Sequence, residues 1–178
     1  MRRLTRVFPL AAVLACLVQS GCKPRDPVRL QPTDESAPEL TSVVHMADPK
    51  AAIQLMKGFH SVEHNAWRWT MGQFSVTLKV PPGGAQKGAA LVGTFTLPDA
   101  VISKVKSTTL SASIGGAQVG SASYKTAGEH TFSADVPAAV LKPEAVTIDF
   151  ALSSFLPAGS VDVRELGLVA STIALNAK

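Results

Sequence analysis

The two-residue period of apolar side chains that begins near residue 74 constrains the fold most. Apolar and polar residues alternate through residues 74–80 and again through residues 91–97. Alternation with this period places all the apolar side chains on one face of an extended strand. The pattern therefore predicts strands that are each buried on one side only.

Similar segments follow at residues 110–114, at Val119 and beyond, and at residues 130–136, 146–152 and 166–175, with glycine and proline between them. This series predicts an all-β fold, an antiparallel β-sandwich with enough strands for a jelly roll. Asp48-Pro49 is typical of a helix start. One or two short helices are expected, the first after Pro49 and a connector within residues 137–141.

The first 21 residues have the organisation of an export signal. Three arginines stand in the first six residues, an apolar run covers residues 7–18, and small residues precede Cys22. The apolar run is too short for a membrane-spanning helix, which needs about 20 residues. We therefore predict a signal peptide at residues 1–21.

Ser20-Gly21-Cys22 resembles the lipobox of bacterial lipoproteins, although Gln19 replaces the leucine that is usual there. The resemblance implies that Cys22 carries the lipid and that the signal is cut before it. Cys16 is a rival lipidation site, and secretion without lipid or an uncleaved anchor are the alternatives. With Lys23 after the cysteine, the resemblance also implies the outer membrane in a bacterium that has two.

Residues 22–47 are expected to form the lipidated cysteine and a disordered tether, because they are rich in proline and poor in large apolar residues. Residues 48–178 are then expected to form the sandwich domain. With Cys16 removed and Cys22 acylated, no thiol remains for a disulfide, so the domain must be held together by its core.

Net charge argues against a nucleic-acid partner. The chain carries 17 basic and 13 acidic residues, but three arginines belong to the signal, which leaves 14 against 13. A nearly neutral domain offers phosphates no electrostatic footprint. The expected contact with a membrane is through the lipid anchor alone.

Several short motifs occur in a fixed order along the chain. They are Gly58-Phe59-His60, Glu63, Trp67-Arg68-Trp69-Thr70, Gly128-Glu129-His130, Val136-Pro137 and the segment 162–168. In these motifs and their order, the chain resembles over about residues 55–175 the jelly-roll accessory modules beside bacterial cell-surface glycosyltransferases. The resemblance implies a non-catalytic, carbohydrate-associated domain.

His60-Ser-Val-Glu63-His64 spells the inverted zinc-protease motif, which needs a helix to bring both histidines to one face. Gly58 before it and Trp67 after it favour a strand and turn instead. Lipase-type serine motifs and phosphate-binding loops are also absent from the sequence. We therefore expect no enzyme, no cofactor and no metal, with a hydrolase as the least favoured alternative.

Trp67 and Trp69 alternate around Arg68, so a strand would place both rings on one face. The rings could form a platform for sugar, with Arg68 and Glu63 as polar partners, or they could fill the core. Core packing is favoured, and Arg68 is expected to pair with Glu63 or Glu165. The expected function is a lipid-anchored envelope protein that binds glycan, or alternatively a scaffold that binds an envelope protein.

We predict that Cys22→Ser abolishes acylation and releases the protein from membranes, because the thiol of Cys22 is the lipid acceptor that the lipobox implies. Metabolic labelling with a palmitate analogue and membrane fractionation measure both effects. Cys16→Ser is the matched control and should label normally. Continued labelling of the Cys22→Ser protein would refute the assignment.

Overall fold

The structure, a computed structural model, describes residues 39–178. The predicted signal peptide, Cys22 and most of the predicted tether lie outside these residues. Nine strands and two short α-helices make up the described part, and no helix in it is long and apolar enough to cross a membrane. The strands are β1 (Val43–His45), β2 (Leu55–Glu63), β3 (Trp67–Lys79), β4 (Ala89–Leu97), β5 (Thr108–Ile114), β6 (Ala117–Tyr124), β7 (Gly128–Val136), β8 (Ala145–Leu152) and β9 (Val169–Ala177).

Every strand pairing is antiparallel, and the strands form two layers. One layer has the order β2-β3-β8-β5-β6, and the other has the order β1-β9-β4-β7. The layers join where Arg68 and Trp69 of β3 pair with Ala170 and Val169 of β9. With β2 set aside, each layer keeps four strands in the order of a jelly roll, which confirms the predicted all-β sandwich.

Four phenylalanines connect the layers through the centre of the sandwich. Phe74 and Phe150 come from the first layer and stack with ring centroids 4.9 Å apart, while Phe95 and Phe132 come from the second. Phe150 lies 6.2 Å from Phe95 and 6.0 Å from Phe132, both edge to face. All four side chains are almost completely buried. Phenylalanine, and not the tryptophan pair, therefore fills the centre.

The alternation that predicted the strands reappears as burial. Along β4 the odd-numbered residues are buried, and along β5 the even-numbered residues are buried. The other residues of both strands are half-exposed. Turns and bulges interrupt this regularity, and glycines with positive φ at Gly115 and Gly116 form the tip of the β5–β6 hairpin. The core is thus built by one face of each strand, as a half-buried antiparallel sheet requires.

The helical parts are short. A 3₁₀ turn at Pro49–Ile53 is capped by the Asp48 carboxylate, which accepts a bond from the Lys50 N–H at 2.8 Å, and a second turn covers Ala138–Val140. Both were predicted. Helices α1 (Gly84–Lys87) and α2 (Asp99–Val105) were not predicted.

The structure differs from the predicted domain boundary at residue 48. Strand β1 lies before that boundary, in the segment expected to be tether, and it pairs with β9. Val44 and Met46 are almost fully buried, and the Thr41 carbonyl accepts a bond from Lys79 N–H at 3.0 Å. The sheet therefore begins several residues earlier, because two buried apolar side chains compensate for the ordering of this short strand.

We predict that Phe150→Ala destabilises the domain by about 3–5 kcal/mol, because it leaves a cavity where three other rings meet. Thr147→Ala, on the outer face of the same strand, is the control and should change stability by no more than about 0.5 kcal/mol. Urea unfolding followed by tryptophan fluorescence measures both. Equal, small effects of the two substitutions would contradict this description of the core.

Candidate functional site

The inverted zinc-protease motif lies on a strand end and a tight turn. His60 and Glu63 belong to β2, and His64 and Asn65 form the turn into β3 with φ of 51° each. The Ala66 N–H donates to the Glu63 carbonyl at 3.0 Å, which closes the turn. Positive φ at both central residues is the requirement of a type I′ hairpin, and histidine and asparagine tolerate it better than most residues.

Because the segment is not helical, its two histidines do not share a helix face. Within residues 39–178, no group of three or more His, Cys, Asp or Glu side chains is arranged to hold a metal ion. The His60 side chain instead makes a bond of 2.7 Å from Nε2 to the Glu165 carbonyl, so the ring nitrogen acts as the donor. His60 therefore braces a loop.

That loop, residues 153–168, connects β8 to β9 and folds over the hairpin. Its base is closed by Leu156 and Leu166, whose backbones exchange two bonds of 2.9 Å. Buried Thr70 of β3 holds its end: the Thr70 hydroxyl accepts the Leu168 N–H at 3.0 Å, and the Thr70 carbonyl accepts the Gly167 N–H at 2.7 Å. The loop is thus fixed to β3 over its last residues.

Arg164 ties the middle of the loop to β2. Its guanidinium donates to the Glu63 carboxylate at 2.7 Å and to both Asp162 carboxylate oxygens at 3.0 and 3.2 Å. The bond from Arg164 is the main cause of a lowered pKa at Asp162, and the Arg164 backbone N–H adds to it. The same two carboxylates raise the pKa of Arg164. Ion pairs of Arg164 with Glu63 and Asp162 therefore hold the loop against β2.

Glu165 has a different partner. Its carboxylate accepts the Gly72 N–H at 2.7 Å, so it satisfies a backbone group of β3. A side chain at Gly72 would collide with the Phe155 ring, since a Cβ built there lies 2.3 Å from it. Gly72 therefore lets Phe155 of the loop lie directly on the strand.

The predicted partners of Arg68 are wrong. Arg68 donates from Nε to the Met46 carbonyl and from Nη1 to the His60 carbonyl, each at 3.1 Å. Glu63 is bound by Arg164 and Glu165 by Gly72, so neither carboxylate is left for it. Arg68 connects the backbones of two neighbouring segments, a role for which a planar group with several donors is well suited.

Neither tryptophan is fully buried in the core, and neither is fully exposed as a binding platform would be. Both are half-buried, and Trp69 packs against the core. Trp67 pairs across the hairpin with Glu63, and its ring centroid lies 5.0 Å from that of His64. Directly paired residues share a face of the sheet, so Trp67 lies on the side where Glu63 meets the loop.

Two valines protrude from this loop. Val161 is 56% exposed and Val163 is 88% exposed, although the loop around them is well braced. They alternate with Asp162 and Arg164, whose side chains bond inward. The sequence analysis did not identify these valines or the bracing role of His60. The alternation of valine and charge in residues 161–164 was the available signal.

We call these parts together the distal end: the β2–β3 turn at residues 63–67 and the loop at residues 153–168. The Lys79 N–H bonds the Thr41 carbonyl at the other end of β3. Twelve residue steps at about 3.3 Å separate Trp67 from Lys79, or about 40 Å. Trp67 and the Thr41 contact therefore lie at the two ends of β3, and the N-terminal residues between them run back along the sheet to Met46, whose carbonyl Arg68 bonds.

Comparison with known proteins identifies no family. No protein-family model matches the chain, and no curated protein matches it.

We predict that Asp162→Asn lowers the melting temperature at neutral pH and that this difference shrinks as the pH falls below about 4. The pKa of Asp162 is depressed below its ordinary value of 3.8 in the folded protein. A depressed carboxyl pKa contributes stability above the unfolded pKa and loses it as the pH falls through the folded pKa. Thermal unfolding of both proteins across this pH range measures the difference.

Arg164→Met provides the control for this experiment. In that background the Asp162 carboxylate keeps only its bond to the backbone N–H of residue 164, so Asp162→Asn should have a clearly smaller effect than in the wild type. An equal effect with and without Arg164 would show that the ion pair does not stabilise the loop.

Proposed function

We propose that the protein is an exported, lipid-anchored, non-enzymatic protein of the cell envelope, and that its distal end binds glycan. The observation that carries this proposal is Trp67, a half-exposed ring at the tip of a rigid hairpin. An aromatic ring offers a flat apolar face with polar groups beside it, which is the surface that the C–H face of a pyranose requires. The export signal, the lipobox at Cys22 and the resemblance to carbohydrate-associated modules support the same function.

The polar partners in this proposal differ from the residues first considered. Glu63 and Arg68 are already bonded within the protein and act as braces. His64 and Asn65 are exposed in the turn beside Trp67 and are available to hydrogen-bond sugar hydroxyls. Trp69 supports the platform from the core side.

The position of the distal end also supports the proposal. It lies about 40 Å along β3 from Lys79, beside which the N-terminal segment joins the sheet. A lipid at Cys22 would hold that end towards a membrane, with the outer membrane as the expected location where two membranes exist. The distal end is the end that such an anchor leaves free for envelope glycan.

A protein partner is the second candidate, and the exposed valines favour it. Val161 and Val163 place apolar surface in water on a loop whose neighbours hold it rigid, which is typical of a recognition surface. An envelope scaffold or assembly protein would bury both. The two candidates therefore depend on different residues of the same end.

We predict that Trp67→Ala removes retention on immobilised envelope polysaccharide while the melting temperature changes little. Trp69→Ala is the paired variant and should cost about 2–3 kcal/mol of stability, because its ring packs on the core. The double variant Val161→Ser, Val163→Ser should retain glycan. Affinity electrophoresis and thermal unfolding measure these effects.

Normal retention by Trp67→Ala would refute glycan binding at this end. Loss of a co-purifying envelope protein in the double valine variant, with glycan retention absent from the wild type, would establish the second candidate instead.

A further inference from the structure

One strand of the first layer is left unpaired over half its length. Strand β8 pairs with β3 from Ala145 to Ala151, but it pairs with β5 only from Asp149 to Leu152. On the β5 side, residues 145–148 have no neighbouring strand. The described chain therefore contains a gap between β8 and the β5–β6 hairpin.

A β-bulge explains why the gap forms. In the β5–β6 pair, Ala112 lies opposite Gly120, but the next residue, Ser113, lies opposite Gln118. Val119 of β6 therefore has no partner residue on β5 and forms the bulge. A bulge of this kind bends and twists its strand pair. The pairing of β5 with β8 ends at the same residue, Ser113, so the bulge turns the hairpin away from β8.

The free edge of β8 offers a regular set of backbone groups. The Val80 N–H bonds the Glu144 carbonyl at 2.9 Å, and the Ser153 N–H bonds the Thr109 carbonyl at 2.9 Å. Antiparallel ladders alternate, so even-numbered residues of β8 bond to β3 and odd-numbered ones point towards β5. The N–H and C=O groups of Ala145 and Thr147 therefore point into the gap.

The gap is also a cavity of about 470 Å³, which lies within the range of ligand sites. Its walls include apolar Ile114, Val140 and Val146. Lys142 and Asp149 line it as well. The Lys57 Nζ lies 3.7 Å from the Asp149 Oδ1 and pairs with it, whereas Lys142 has no ion pair among the described residues. Of the two charged side chains that line the cavity, Lys142 is therefore the one without an ion-pair partner.

We infer that this gap binds an extended acidic peptide segment of a partner protein, which adds to β8 as a short strand. Backbone bonds to Ala145 and Thr147 hold the segment, and alternate apolar side chains enter the cavity beside Val146. Acidic side chains between them face outward, near Lys142. The inference goes beyond glycan binding and uses the end of the sandwich opposite Trp67, so either can fail alone.

The test uses a probe peptide, acetyl-Glu-Val-Glu-Val-Glu-amide, and the exported chain labelled with ¹⁵N and carrying Cys22→Ser to prevent acylation. Titration should shift the amide signals of Ala145 and Thr147. The matching lysine peptide should bind about threefold more weakly, as expected for one exposed ion pair. Lys142→Glu should reverse this preference, while Lys125→Glu, far from the gap, should leave it unchanged.

Two methylated peptides separate strand addition from other binding. N-methylation of the central glutamate removes a donor that faces β8 and should weaken binding by at least about tenfold. N-methylation of both valines alters groups that face away from β8 and should change binding less than about twofold. Equal effects of the two methylations, shifts confined to the distal end, or no shifts at millimolar peptide would each overturn the inference.

Discussion

The structure depends on one strand that serves both layers. Strand β3 pairs with β8 over Gln73–Lys79 and with β9 at Arg68 and Trp69. Both β8 and β9 run antiparallel to β3, and they pair with successive parts of it. The chain between them, residues 153–168, cannot continue the ladder and is forced out as a loop. The same strand therefore joins the layers, supplies Phe74 to the centre and creates the distal end.

Sequence periodicity was sufficient for most of the sandwich because each strand has one buried face. Where that condition fails, the prediction fails as well. Three register shifts break the alternation of β2, so this strand is missing from the series of strands that periodicity predicted. Strand β1 has three residues, too few for a period, and its partner β9 is more than a hundred residues away. The short helix α2 carries only one fully buried apolar residue, Val101, and so lacks a periodic signal.

The candidate site was predicted in its residues but not in its bonds. Glu63, Arg68 and Glu165 were named as possible partners, whereas Arg164 entered only as part of the segment 162–168. Which carboxylate meets which cation depends on the bulges of β2 and on the path of the loop, and neither is encoded by local spacing. Core packing was favoured for both tryptophans, but the central inward positions of β3, β4, β7 and β8 carry phenylalanine. Both tryptophans lie near the turn at the start of β3.

Both proposed binding surfaces lie where an antiparallel ladder is interrupted. On the continuous outer faces, hydroxyls bond across strands, as Thr77 does with Thr147 at 2.9 Å and Thr109 with Ser123 at 2.7 Å. At the distal end, and on β8 beside the bulge of β6, the chain instead exposes an aromatic ring, apolar side chains or unpaired backbone. An interrupted ladder weakens the sheet locally. At the loop of residues 153–168, the hydrogen bonds of Arg164 and Thr70 compensate for the lost ladder bonds. The site and the sheet are therefore consequences of the same pairing pattern.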